Sequence, residues 1–168
     1  VGRRDRGDSE GRIDIGVSGA LALLNTDGAL IDVHDMPCLC DGPAGRRSIN
    51  APLLSDIIAK SGATRAYIEY VGARPGEGAV GAFAFGRARG VIEGVLGAAG
   101  IPVTLITSPS WKRLIGIAPG TAGAKDAARS EAIRRWPDRA ALFARVKDDG
   151  RAEACLIAVA CLMREPRR

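Results

Sequence analysis

The stretch "GRIDIGVSGALALLN", Gly11 to Asn25, decides how the chain is read. Its pattern is a strand, a tight glycine-rich bend and a second strand. Nearly every residue is apolar or small, yet Asp14 stands between Ile13 and Ile15. An isolated buried carboxylate costs several kcal/mol unless it is paired, protonated or bound to a metal. Taken singly, the aspartate also fits a solvent-facing position on a half-exposed sheet. The rest of the chain has to decide between these readings.

Working outward, "TDG", Thr26 to Gly28, is a hairpin turn signal, and "ALIDVHDMP" after it gives a third strand. An antiparallel meander of three strands is predicted. "CLCDGPAGRRS" reads as a loop. "INAPLLSDIIAKSG" reads as a helix stopped by Gly62. "RAYIEYV" is a short buried strand, and "GARPGEG" is a loop by its glycine and proline content. A long helix is expected from about Ala79 to Ala99, and "IPVTLIT" follows as the fifth strand. Strand, helix, strand is a parallel crossover. The remainder reads as helices: "SPSWKRLIGI", capped by Ser108 or Ser110; "AKDAARSEAIRRW", ended by Pro137; "DRAALFARV"; and "DDGRAEACLIAVACLMRE", with Asp149 as its N-cap. The predicted class is α/β, one five-stranded mixed sheet with three antiparallel strands followed by parallel ones, flanked by helices.

The 168 residues suit one domain, and 46% apolar content marks a globular chain. Residues 1–11 read as a basic, flexible arm and 12–168 as the folded domain. The arm has no apolar core of a signal peptide, and no apolar run reaches the length of a bilayer span, so a cytoplasmic location is expected. The net charge of +5 favours a polyanionic partner. Cys38, Cys40, Cys155 and Cys161 form no CxxC pair, and the one histidine, His34, leaves zinc-ligand spacing poor. Free thiols and an ordinary strand-end histidine are expected.

Three places set carboxylates against apolar structure. Asp14 lies in the first strand and Glu69 at the end of the fourth. Asp149 and Glu153 lie four residues apart on the last helix, hence on one face, with Asp148 beside them. In this topology strands one and four can be neighbours and the last helix can cross them, so the acids can converge at one end of the sheet. Clustered carboxylates raise one another's pKa, and a hard divalent cation removes the conflict. Two Mg²⁺ ions about 3.5–4 Å apart can activate a water and stabilise the leaving oxygen in phosphodiester hydrolysis. Basic candidates for a phosphate backbone are Lys112 and Arg113 in "SPSWKR", Lys125 at a helix start, and Arg74 in the "GARPGEG" loop.

"IDIGVSGALALL", "IEYVGARPGEG", "FGRARGVIEGVL", "AGAKDAARSEAI" and "DDGRAEACLIA" stand in this order. Together they resemble the RuvC-type Holliday-junction resolvases of the RNase H-like superfamily, in the version of the phage and prophage branch. The resemblance covers nearly everything from Arg12 to Met163. It implies an RNase H-like fold and a homodimeric, Mg²⁺-dependent endonuclease that nicks two strands of a four-way DNA junction, with Mn²⁺ able to substitute. Four acids hold two metals in that family, and they match Asp14, Glu69, Glu153 and an acid just before Glu153. Well-known bacterial members carry that acid, or a histidine, three residues before the last; here Gly150 stands there, so Asp149 is chosen, with Asp148 in reserve. Lys125 matches a basic position near the scissile phosphate. The same members place a stacking aromatic three positions after the strand-four glutamate, where this chain has Gly72. Tyr70 is near, but strand alternation points it the other way.

Gly86, Gly90 and Gly94 recur every four residues along the long helix. Glycine costs helix stability, so a close approach is expected, either to the chain's own sheet or to a second subunit. Three rival functions remain open. Actin-like ATPases and sugar kinases also open on a D-x-G strand, but they need two such domains, and "GIAPGTAGAKD" fails as a P-loop. A non-catalytic DNA-binding module would use the basic surface without the acids. A nuclease acting on other branched DNA or on RNA–DNA hybrids would share the same catalytic residues.

Overall fold

The computed structural model describes residues 9–13, 19–40, 46–72, 76–118 and 123–164, with the backbone alone at 9–13, 124 and 125. In chain order the elements are β1 (Ser9–Ile13), β2 (Ala20–Asn25), β3 (Leu30–Asp35), β4 (Cys38–Cys40), β5 (Arg47–Ile49), α1 (Ala51–Ser61), β6 (Ala63–Tyr70), α2 (Ala79–Ala98), β7 (Val103–Thr107), α3 (Ser108–Ile115), α4 (Ala124–Arg135) and α5 (Asp149–Arg164). The fold is α/β. The main sheet has the order β3-β2-β1-β6-β7. β1 pairs antiparallel with β2, and β2 with β3, while β1–β6 and β6–β7 are parallel.

Local chemistry explains the boundaries that the sequence marked. At the β2–β3 turn the Asn25 side chain accepts hydrogen bonds from the amides of Asp27 (3.1 Å) and Ala29 (2.8 Å). Gly28 takes the left-handed conformation there, φ +84°, which glycine adopts without steric penalty. Asn50 caps α1 by accepting from the Leu53 amide, and Gly62 ends it at φ +66°. The long helix α2 ends at Ala98, within a residue of expectation.

Four details differ. β1 begins at Ser9, so residues 9–11, assigned to the arm by their charge, are paired in the sheet; residues 1–8 lie outside the described part. The predicted loop "CLCDGPAGRRS" contains a small antiparallel pair, β4–β5, whose three-residue strands carry too short an alternation to stand out. α3 is capped at Thr107, not at Ser108 or Ser110, because Ser108 is already its first helical residue. The segment after Pro137 winds as a 3-10 helix, Pro137–Phe143, and buries Phe143 beside Trp136 at a centroid distance of 6.1 Å.

Strand alternation sends side chains to two cores. Ala20, Ala22, Leu24, Tyr67 and Ile106 pack with α3, α4 and α5. Leu21, Ala66 and Ile68 pack on the other face with Leu54 and Ile58 of α1 and Ile92 and Leu96 of α2. The result is three layers, helices on both faces of one sheet. Lying between the sheet and the α3–α4 pair, α5 is buried almost all round, from Ala154 to Cys161. Burial pushes the Cys155 thiol above its ordinary range. The four cysteines are free thiols, as expected. Among the described residues no helix is long and apolar enough to cross a membrane.

α2 buries one face only. Opposite it, Val80 and Phe83 are 63% and 74% exposed. A Cβ at Gly86, Gly90, Gly94 or Gly97 would meet nothing within 4 Å. Packing onto the chain's own sheet therefore does not account for this glycine stripe.

Candidate active site

Glu69 is the seventh residue of β6 and shares the sheet face of Tyr67, the face covered by α3 and α5. Its register partner is Ile106 on β7. After Thr107 the chain turns directly into α3, with Pro109 in its first turn. One turn later Trp111, fully buried, donates its indole N–H to Glu69 Oε1 at 2.9 Å. An unpartnered buried donor costs about 1–3 kcal/mol, so burying this ring requires such an acceptor. Lys112 places its ammonium 5.2 Å from the centroid of the same indole. Arg113, next in α3, is exposed.

The first turn of α5 reaches the same end of the sheet. Arg151 donates to both carboxylate oxygens of Asp35, at 2.6 and 2.7 Å. Asp35 registers with Ala20; the next β2 residue, Leu21, pairs with Ile13, which in turn pairs with Ile68, just before Glu69. The Arg151 fork therefore pins the start of α5 to the end of β3, at the same end of the sheet as Glu69. Asp149 and Glu153, both half-buried, occupy that turn and the next. Asp149 is the first helical residue and not the N-cap expected for it, and its carboxylate accepts the Gly150 N–H at 3.0 Å.

Asp148 instead closes the short 3-10 turn Val146–Asp148 that leads into α5. It is 2% exposed. Its carboxylate accepts the Arg145 backbone N–H at 2.9 Å and the Arg145 guanidinium at 2.8 Å. The Arg145 hydrogen bonds hold its carboxyl below the ordinary aspartate range. Both oxygens are thus committed to Arg145 in the turn before α5, so Asp148 serves as an anchor there. Asp35, hydrogen-bonded by Arg151, is shifted the same way. A lowered folded value means stability that is complete above the unfolded pKa, about 3.9, and is lost as pH falls through the folded one. Asp148→Ala is therefore expected to cost about 2 kcal/mol at neutral pH and to flatten the acid limb of the stability curve. Urea titrations between pH 7 and pH 2 check this, and an unchanged acid limb would contradict it.

Asp14 and Arg74 lie outside the described residues, and so does the side chain of Lys125, whose backbone lies in the first turn of α4. The structure thus sets Glu69 and Lys112 on either side of one contact partner, Trp111, with the start of α5 at the same end of the sheet. Among the described residues, no three His, Cys, Asp or Glu side chains are gathered into a metal-holding group. The donor set of Glu69, Asp149 and Glu153 is all carboxylate oxygen, the chemistry that suits a hard cation. His34 sits on β3, 3.2 Å from Asp32 and half in solvent, as expected for an ordinary strand residue. A cleft of about 410 Å³ opens on the other face of the sheet, lined by Leu21, Leu23, Ile31, His34 and Ile57, and none of Glu69, Asp149 and Glu153 borders it. Tyr70 also belongs to that other face, with the Arg89 guanidinium 5.4 Å over its ring, as alternation required.

Sequence reasoning missed two partners. Trp111 follows β7, which ends in Thr107, while its acceptor Glu69 stands 42 residues earlier on β6, so no local pattern joins the two. Arg151, between Gly150 and Ala152, gave no signal, because its partner Asp35 is 116 residues away.

The whole chain was compared with known proteins. It overlays on the structure of Thermus thermophilus RuvC in complex with a Holliday junction substrate with a TM-score of 0.57, at 15% identity, covering 91% of each chain. The chain has the RuvC fold. A second Thermus thermophilus RuvC structure gives a TM-score of 0.53, also at 15% identity, over 92% of this chain and 96% of that one. No family model and no curated sequence matches. Likeness to RuvC thus extends over nearly the full length of both chains and resides in their architecture.

Proposed function

We propose that this chain is a RuvC-type endonuclease of the phage and prophage kind, built on an RNase H-like sheet, and that it nicks four-way DNA junctions by hydrolysing phosphodiester bonds. The observation that carries this reading is Glu69 with Lys112 at the sheet end that the first turn of α5 also reaches. The fold around them is shared with a protein captured on a Holliday junction.

Asp14, Glu69, Asp149 and Glu153 would hold two Mg²⁺ ions, with Mn²⁺ as a substitute. Bound there, the ions would supply an activated water and stabilise the leaving oxygen. The chain's own residues do the rest. Glu69 offers its carboxylate from a rigid strand end, where position is better defined than on a loop. Asp149 and Glu153 present theirs from one face of α5, fixed by the Arg151–Asp35 fork. Lys112 brings a positive charge to the edge of the acidic site, where it can meet a phosphate oxygen. Arg74, Arg113 and Lys125 extend the contact along the DNA backbone and supply the salt-dependent part of affinity. A second copy of the chain would dock along α2, whose exposed face carries Val80, Phe83 and the glycine stripe. Two sites then act on two strands.

Gly72 favours a second reading. It offers no aromatic side chain where the well-known resolvases stack on junction bases, and Tyr70 lies on the opposite face. The same site would then serve other branched DNA or hybrids. Labelled four-way junction, fork, linear duplex and RNA–DNA hybrid, offered at equal concentration, decide between them. Preferential cutting of the junction is expected; equal cutting of the duplex would refute junction selectivity.

A further inference from the structure

Among the described residues, Trp111 is the largest side chain that is completely buried. A core that needed only volume could use phenylalanine there. The other tryptophan, Trp136, donates its indole N–H to the Gly28 backbone carbonyl, an ordinary structural acceptor. Trp111 donates instead to a carboxylate 42 residues away, and that carboxylate is Glu69. A hydrogen bond to an ionised acceptor is roughly twice as strong as a neutral one and strongly directional. It ties one oxygen of Glu69 to a ring that packing already holds still. Lys112 lies over the ring, and α3 follows β7 without a break, so the donor's position is tied to the sheet's own geometry.

We infer that Trp111 is a positioning residue for Glu69: its N–H fixes Oε1, so that the carboxylate keeps one orientation and offers Oε2 to a divalent cation. The inference rests on the nuclease reading above. Outer partners of this kind set the orientation of a metal ligand, and their loss typically lowers metal affinity about 10–100-fold.

The test is Trp111→Phe, which keeps most of the ring volume and removes the N–H. Mn²⁺ binding to the protein alone, without DNA, is measured by titration with detection of the free ion, beside thermal melting. The expected result is Mn²⁺ affinity weakened at least about 10-fold, with cleavage partly restored at high metal concentration. In a Glu69→Gln background the same substitution should change Mn²⁺ affinity no further, because the hydrogen bond no longer orients a ligand. Unchanged Mn²⁺ affinity in Trp111→Phe, or an equal effect in both backgrounds, would overturn the inference and leave the nuclease reading standing. Failure of the wild-type protein to bind Mn²⁺ and to cut any branched DNA would remove that reading first. Should Trp111→Phe not fold, a benzothiophene analogue of tryptophan, the same shape without the N–H, is incorporated in a Trp136→Phe chain and read in the same way.

Discussion

Glu69→Gln is expected to bind a four-way junction as well as the wild type and to cut it more than about 100-fold more slowly, a larger loss than removal of an outer partner brings. The substitution is nearly isosteric, and the Gln carbonyl can still accept the Trp111 N–H that Glu69 accepts at 2.9 Å. Core packing is therefore preserved, and the change removes one negative charge at the sheet end. Losing that charge cannot weaken attraction to phosphates, so binding holds or improves. What disappears is an anionic oxygen for a cation. Gel-shift titration in Ca²⁺ and nicking in Mg²⁺ separate the two effects. Nicking at the wild-type rate would show that Glu69 is only an acceptor for a buried tryptophan.

Gly90→Glu is expected to turn a dimer into a monomer and to abolish paired nicking of a junction. Within one subunit the substitution is benign. Gly90 sits in the middle of α2 with open space where a Cβ would go, and replacing a mid-helix glycine gains about 0.5–1 kcal/mol of helix stability. Across a subunit contact it is severe, because it places a charge and a long side chain where helices approach closely. The two effects have opposite signs, and that makes the experiment decisive. Sedimentation gives the mass and thermal melting the subunit stability. A variant that melts higher and runs as a monomer fits the proposed docking along α2. A variant that keeps the mass of the wild type would show that subunits, if they associate, do so elsewhere.

Much of the fold was legible because its boundaries rest on local chemistry. Asn50 and Gly62 bracket α1, Asn25 and Gly28 make the hairpin turn, and alternation within "RAYIEYV" sorts Tyr67 and Glu69 to one face and Ile68 and Tyr70 to the other. What escaped depends on contacts between distant residues or on elements too short for periodicity. The β4–β5 pair has three residues per strand, and only the pairing of Cys38 with Ile49 reveals it. Asp148 and Asp149 are adjacent and chemically identical, so sequence could not divide their roles. Their surroundings differ: Arg145 holds the carboxylate of Asp148 in the 3-10 turn before α5, and Asp149 is the first residue of α5 itself. The Trp111–Glu69 and Arg151–Asp35 contacts, 42 and 116 residues apart, likewise exist only once the sheet order is known. Glu69, Asp149 and Glu153 were legible as residues on named elements. Their joint purpose is implied by five motifs that resemble one family, and the fold of the chain is shared with RuvC.

The most direct test of a carboxylate-built nuclease is a labelled four-way junction incubated with wild type and with Asp14→Asn, each in Mg²⁺ and in chelator. The account predicts paired nicks from the wild type in Mg²⁺ alone, none in chelator, and none from Asp14→Asn in either. Equal cutting by the two proteins, or an intact junction with a wild-type chain that binds it in Mg²⁺, would contradict it.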